Sequence, residues 1–329
     1  MWTKLRYNRV AWFAGALGIA LAAPGASQAQ SDYPNKPIRV EVGYGAGGPS
    51  DIVARIVAAK TGEILGQQFL IENKVGAAGM IAAYTVARSA PDGYTLLNTP
   101  TSYSINETLS KTMRSEIGKD FVAVAPQAQS VNILVVHPSL GVKTVAELVS
   151  LAKSKPGEIF YGTSGVGSSS HLCTELFNLT AGIKTTPVHY RGGGDSVKDL
   201  MQGEIKMIFA TIAPVQQLVK DGKLIGLATT GLKRDASFPE LPTIAESGYP
   251  GFDCRYWIGL SAPVNTPRAI IKRLEEANNK AIESPDVQKS LAVLGFSPMT
   301  GSSEDFDKFY RSERDRWGTV VRATGMDKE

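Results

Sequence analysis

The sequence predicts an α/β protein in which parallel strands are covered by helices on both faces. Three observations predict it. Short apolar runs of period two alternate with longer runs at helical spacing. Glycine-rich turns lead from the strands into the helices. The 329 residues, 43% of them hydrophobic, are enough for two such domains, each with its own core.

The first unit sets the pattern. Ile38–Val42 alternates as a strand, and a helical run from Ile52 to Lys60 follows the turn Gly43-Tyr44-Gly45-Ala46-Gly47-Gly48-Pro49-Ser50-Asp51. Ser50 and Asp51 are expected to cap that helix, with Pro49 at its entrance. The first amides of a helix lack intrahelical partners and carry the positive end of its dipole, so the turn suits an anion. Its glycines fall as GxGxGG and not as the dinucleotide pattern GxGxxG. Alone, it is equally well read as a plain connection.

The alternation continues through a strand at Gln68–Asn73, a helix entered by Gly76-Ala77-Ala78-Gly79, and a strand at Tyr94–Asn98 followed by a polar stretch, Thr99–Ser104. Two strands, Phe121–Ala125 and Asn132–Val136, are expected to carry the chain out of the first domain. A helix capped by Thr144 precedes the strand Ile159–Gly162. Next come Thr163-Ser164-Gly165-Val166-Gly167-Ser168-Ser169-Ser170-His171 and a helix from Leu172 to Leu179. This second strand–glycine turn–helix unit stands about 120 residues after the first. If the two turns face each other across a domain cleft, they form a two-sided anion clamp. A third turn, Arg191-Gly192-Gly193-Gly194-Asp195, opens a helix over Ser196–Gln202. Strands at 205–210, 224–229 and 252–260 follow, the last returning to the first domain. Helices at 267–282, 285–294 and 303–322 finish the chain, with Phe306, Phe309 and Tyr310 read as core.

The N-terminus reads as a secretory signal peptide over 1–29. Lys4, Arg6 and Arg9 precede an apolar segment from Val10 to Ala23, too short to span a membrane. Small residues Ser27 and Ala29 place cleavage before Gln30. Removing three basic residues lowers the formal charge from +4 to 4 − 3 = +1. With no basic block interleaved with aromatics, nucleic acid is not an expected partner. The three histidines, His137, His171 and His189, show no ligand spacing, so neither metal nor cofactor is expected. Cys173 and Cys254 sit in a helix and a strand far apart in sequence. Export permits a bridge and burial as apolar residues is the alternative; the sequence leaves the choice open.

Catalytic patterns are incomplete. Gly162-Thr163-Ser164-Gly165-Val166 lacks the last glycine of a nucleophile elbow, and no lysine follows the glycines as in a phosphate loop. His171, in the first turn of a helix, is read as bracing its loop. The expectation is a binding protein and not an enzyme.

Several segments together resemble the Bug-type (TctC-like) extracytoplasmic receptors of tripartite tricarboxylate transporters, over essentially the whole mature chain. They include Tyr33-Pro34-Asn35-Lys36-Pro37-Ile38, Gly47-Gly48-Pro49-Ser50-Asp51, Asn73-Lys74-Val75-Gly76-Ala77-Ala78-Gly79 and Ala90-Pro91-Asp92-Gly93-Tyr94-Thr95-Leu96-Leu97. Tyr161-Gly162-Thr163-Ser164-Gly165-Val166-Gly167-Ser168, Asp199-Leu200-Met201-Gln202-Gly203 and Trp257-Ile258-Gly259-Leu260 continue the match. The resemblance implies a two-domain periplasmic flytrap joined by crossing strands: residues 30–130 with 250–329 as one domain, 131–249 as the other. It implies that the loops near 44–51 and 163–168 grip one carboxylate.

The residues expected at the site are Tyr44, Ala46, Gly47, Gly48, Ser50 and Asp51 from the first loop, with Ser102. From the second come Thr163, Ser164, Gly165, Gly167, Ser168 and His171. Arg191, Gly192, Gly193 and Asp195 from the third turn, and Ala210 and Thr211 after a strand, complete the set. Ala210 stands where the family often has an acid. Arg255 stands where a small polar residue is common and is a candidate partner for a second carboxylate. Tyr44 and Tyr103 are candidates to flank a flat ring. The expected ligand is a dicarboxylate or an aromatic acid, the expected partners are the transporter's membrane subunits, and the expected state is a periplasmic monomer. Presentation of ligand to a membrane sensor kinase is the first alternative, a secreted hydrolase the second.

Overall fold

A computed structural model of the chain describes residues 33–76, 79–109 and 119–326. The signal peptide read from the sequence lies outside the described residues, as do Ala77 and Ala78.

The described elements run β1 (Ile38–Val42), α1 (Pro49–Leu65), β2 (Phe69–Asn73), α2 (Met80–Ala87), β3 (Thr95–Pro100), α3 (Ser102–Leu109), β4 (Phe121–Val136), α4 (Val145–Ser154), β5 (Phe160–Thr163) and α5 (Ser169–Ala181). They continue as β6 (Thr186–His189), α6 (Gly193–Gln202), β7 (Met207–Thr211), α7 (Gln216–Lys220), β8 (Ile225–Thr229), β9 (Arg255–Pro263), α8 (Arg268–Glu283), α9 (Pro285–Val293), β10 (Ser297–Pro298) and α10 (Ser303–Thr324). The strand order is β2-β1-β3-β9-β4-β7-β5-β6, with β8 and β10 also paired to β4. β1 lies parallel to β2 and β3, and β5 lies parallel to β6 and β7. These parallel units are the ones the βα alternation predicts. β9 and β4 join them as antiparallel strands.

β4 is one strand of 16 residues where the sequence suggested two. Its first part, Phe121–Val131, pairs with β9; from Asn132 it pairs with β7. The polar interruption is real, but its side chains find tertiary partners: Gln129 accepts from Arg255 at 2.9 Å, while Gln127 is paired through its amide nitrogen alone among the described residues. Gln127 donates to Asn278 Oδ1 at 3.0 Å. Pro126 lies where the register with β9 shifts, a place that tolerates a missing N–H.

Helices cover both faces. Around the first parallel unit, Val53 and Val57 of α1 pack with Ala281, Ile282, Leu291 and Ile258. On the other side Met80, Tyr103, Trp257, Phe306 and Tyr310 share a cluster. Trp257 meets Phe306, Phe309 and Tyr310 edge-on at 5.8, 5.3 and 5.8 Å; each such pair contributes about 0.5–1.5 kcal/mol beyond burial. Phe306 and Tyr310 are thus core, as their spacing predicted. A Cβ on Gly259 would collide with the Phe306 ring, so β9 approaches α10 closely only because that residue is glycine. Around the second unit, Leu148, Phe177, Phe209 and Trp317 form one cluster and Leu200, Ile205, Ile208 and Phe238 another. The final turns of α10 therefore pack with residues of the 131–249 segment.

Cys173 and Cys254 are joined in a disulfide with their Cα atoms 5.8 Å apart. Cys254 stands one residue before β9, not within it.

Candidate functional site

Both glycine loops open helices at the carboxyl ends of parallel strands, the edge at which α/β sheets bind ligands. The first joins β1 to α1. Gly48, not Ser50 or Asp51, is the N-cap, and it contributes no side-chain bond. Pro49 at the first position sets that register and moves Ser50 and Asp51 into the first turn. Asp51 turns back into the protein, accepting from the Gly47 amide at 2.9 Å, from Asn73 Nδ2 at 2.9 Å and from Arg55. Burial alone would raise its carboxyl, but the bonds from Arg55, Gly47 and Asn73 outweigh it and hold it below the usual carboxylate range. Asp51 thus fixes the loop from behind. Asn73 also donates to the Tyr44 carbonyl at 2.9 Å. Ala46 and Gly47 form the exposed tip.

Hydroxyls converge beside this loop. Tyr44 is hydrogen-bonded to Ser102. Ser50 donates to Asn98 Oδ1 at 2.5 Å and also meets the Tyr256 phenol. Burial pushes the Tyr44 phenol up to about 12, with the Ser102 bond pulling the other way; Tyr256 is raised for the same reason. At neutral pH both stay protonated and can donate.

The second loop joins β5 to α5. Ser168 caps α5 by accepting from the His171 amide at 3.3 Å. Thr163 Oγ1 meets His189 Nδ1 at 2.9 Å and accepts from the Gly165 amide at 3.1 Å. Ser170 Oγ accepts from the Ser164 amide at 3.0 Å. His171 Nδ1 accepts from the Gly167 amide at 3.2 Å, so this histidine braces the loop. The third turn abuts the second loop: a Cβ on Gly193 would stand 3.6 Å from Ser164 Oγ. Gly192 is the N-cap of α6, while Arg191 and Asp195 are exposed on the rim.

Burial, and secondarily the His189 ring 4.8 Å away, lowers His171 to about 4. The unfolded chain takes up this proton near 6.5 and the native protein only near 4. As the unfolded state binds more protons in that window, stability is retained above pH 6.5 and falls as pH drops toward 4. The expected loss is about 3 kcal/mol. Denaturant unfolding at both ends of the window measures it. His171→Asn, which keeps an acceptor for the Gly167 amide, should remove most of that pH dependence.

α3, which the sequence presented only as a polar stretch, brings the two loops together. Ser102 and Asn106 are four residues apart, so they share a face one turn, about 6 Å, from each other. Ser102 holds Tyr44 of the first loop. Asn106 meets the second: a Cβ on Gly167, whose φ is +71°, would stand 2.5 Å from Asn106 Oδ1. Three buried groups here have an atom with no hydrogen-bond partner among the described residues: Asn98 Nδ2, Asn106 Nδ2 and Ser169 Oγ. Asn98 is fully buried, Asn106 is 3% exposed and Ser169 8%. Asn98, Asn106 and Tyr256 were absent from the sequence-based set. No periodicity marks them, because each enters through a contact distant in sequence.

Two residues offered as ligand partners are engaged elsewhere. Tyr103 is core and donates to the Gly79 carbonyl at 2.8 Å, so it flanks no ligand. Arg255 is engaged by Asp253 through Nε and a terminal nitrogen and by Gln129 at 2.9 Å, which leaves no free fork for a second carboxylate. Ala210 packs against the Ile133 and Val135 cluster, with Thr211 ending β7 opposite Asn132. A surface groove of about 540 Å³ lined by Pro37, Glu63, Gly66 and Leu70 lies at the far end of α1 from the loops. No group of His, Cys, Asp and Glu among the described residues is arranged to hold a metal.

A family model described as the tripartite tricarboxylate transporter family receptor matches residues 53–326. Protein BugT of Bordetella pertussis is 33% identical over 313 residues, covering 94% of this chain and 96% of that protein. Rpa4515 of R. palustris, solved with adipate, superposes with a TM-score of 0.82 at 34% identity, covering 89% of this chain and 99% of that one. MatC (Rpa3494) of Rhodopseudomonas palustris, solved with bound malate, gives 0.80 at 30% identity, covering 88% and 100%. The architecture is thus the two-domain α/β binding-protein fold that the sequence predicted.

Proposed function

The chain belongs to the tripartite tricarboxylate transporter receptor family, and from that premise we propose that it captures a small organic carboxylate in the periplasm and delivers it to the membrane subunits of such a transporter. One observation carries this reading: two glycine loops, each opening a helix at the carboxyl end of a parallel strand, meet one face of α3 a single turn apart. Each offers amides at a helix N-terminus, where an anion is favoured. The similar proteins solved with adipate and malate support the ligand class.

The binding groups are drawn from Tyr44, Ser50 and Ser102 at the first loop, and from Thr163, Ser164, Gly165, Gly167 and Ser168 at the second. Gly192 and Gly193 extend the second wall. The domains are 30–130 with 250–329, and 131–249; the change of β4 partner after Val131 supports the first boundary. The oxidised cysteine pair supports export, as does the leader-like N-terminus. The site binds and does not catalyse: His171 Nδ1 is occupied by the Gly167 amide, and Ser168 Oγ by its own helix cap. The protein acts as a monomer whose two domains close on the ligand, because only a closed form brings both loops to it.

Thermal unfolding with organic acids tests the proposal. Malate or adipate at about 100 times its dissociation constant should stabilise the protein by about 2.7 kcal/mol. Stabilisation by sugars or cations, with none from any mono- or dicarboxylate, would overturn it.

A further inference from the structure

Asn98 and Asn106 lie outside both glycine loops, yet each meets one of them. Asn98 lies within β3 and its Oδ1 is taken by Ser50, in the first turn of α1. Asn106 lies against Gly167, at the entrance to α5. Both are more than nine-tenths buried, and each has an amide nitrogen unpartnered among the described residues. Ser169 Oγ, in the first turn of α5, is a third such group. An orphaned buried amide is costly in a folded protein and marks a place where a partner is expected. The charged side chains close by are already committed: Asp51 to Arg55 and Asn73, and Arg255 to Asp253. Arg191 stays on the exposed rim, so the buried donors left are neutral, directional and divided between the two loops.

Resting on the carboxylate-binding reading above, we propose that the β3–α3 segment supplies the side-chain recognition of the ligand. Asn98 donates to one acceptor group at the α1 loop, and Asn106 with Ser169 to another at the α5 loop. A ligand satisfying both must reach from β3 to α3, with acceptors spaced as the two asparagines are. The glycine loops supply the general anion field, while the two asparagines select for acceptors at that spacing.

Calorimetric titration with malate, adipate, butyrate and hexanoate, on the wild type, Asn98→Asp and Asn106→Asp, tests this. Asn98→Asp keeps the oxygen that Ser50 uses and replaces the donor by a charged acceptor. Asn98→Thr, which keeps an uncharged acceptor for Ser50, is therefore measured beside it with the same expected loss, and takes its place if the Asp variant lowers the melting temperature. Each variant should weaken the tighter dicarboxylate on the order of 10–100-fold, with the melting temperature of the free protein unchanged. If Asn106→Asp lowers that temperature, Asn106→Ser, which removes the amide without adding charge, takes its place with the same expected loss. A wild type that binds a carboxylate while both variants retain its affinity overturns this inference and leaves the carboxylate reading standing. A loss in only one variant overturns the spanning of both loops. A wild type that binds none of the four acids overturns the carboxylate reading and this inference with it.

Discussion

Replacing Cys173 and Cys254 together by alanine should lower the unfolding free energy by about 4.5 kcal/mol. The bond closes a loop of 81 residues, and the loss of that constraint on the unfolded chain sets the magnitude. Its location matters as much as its loop. The Asn132 carbonyl, where β4 changes partners, accepts from the Thr230 amide at 2.9 Å. Thr230 Oγ1 in turn donates to the Cys254 carbonyl at 2.5 Å. The disulfide thus ties α5 to the point where the chain crosses between the two strand ladders. Guanidinium unfolding of wild type and variant gives the difference, and wild type in strong reductant should approach the variant. A loss below about 1 kcal/mol would show that the reduced chain keeps the crossover assembled.

Glu313→Leu should cost about 4 kcal/mol. Glu313 Oε2 accepts from Trp257 Nε1 and Trp317 Nε1, both at 3.1 Å, and Oε1 accepts from Arg316 at 3.0 Å. Trp257 belongs to the core beside the first parallel unit and Trp317 to the core beside the second. Leucine would leave two buried indole N–H groups without an acceptor, at roughly 1–3 kcal/mol each. Glu313→Gln keeps one acceptor oxygen and should lose about half as much. Urea unfolding followed by tryptophan fluorescence measures both; equal stability of the Leu and Gln variants would mean that the indoles find other acceptors.

Where period and turn chemistry agreed, the sequence was legible. β1, α1 and the helix cap at Thr144 follow local rules, and the two anion-type loops followed from glycines placed between a strand and a helix. β4 did not, because Pro126, Gln127, Gln129 and Ser130 look like a break until their partners on β9, α8 and Arg255 are known. α3 was hidden for a related reason: Ser102 and Ser104 read as part of a polar stretch, yet they and Asn106 are buried by the fold. At the site, Asp51 and Arg255 were chemically suggestive, and tertiary pairing had already occupied them. Asn98 and Asn106 carried no motif and became visible only beside Ser50 and Gly167. The cysteine pairing needed the fold as well, since nothing local brings α5 to the residue before β9.

The pairing of Pro100 on β3 with Ile258 on β9 joins residues 158 positions apart. At a synthesis rate of roughly 5–20 residues per second, about 8–30 s separate the emergence of the two partners. During that interval β1, β2 and β3 can form, but β3 presents an open edge that invites mispairing. α10, which seals the Trp257 cluster, arrives last of all. The segment between β4 and β8 is continuous in sequence, but its core also waits for α10, which supplies Trp317, Val320 and Val321. The first glycine loop therefore gains its final setting only once the last helix is in place, and a chain truncated within α10 before Trp317 should leave both cores open to chaperones and proteases.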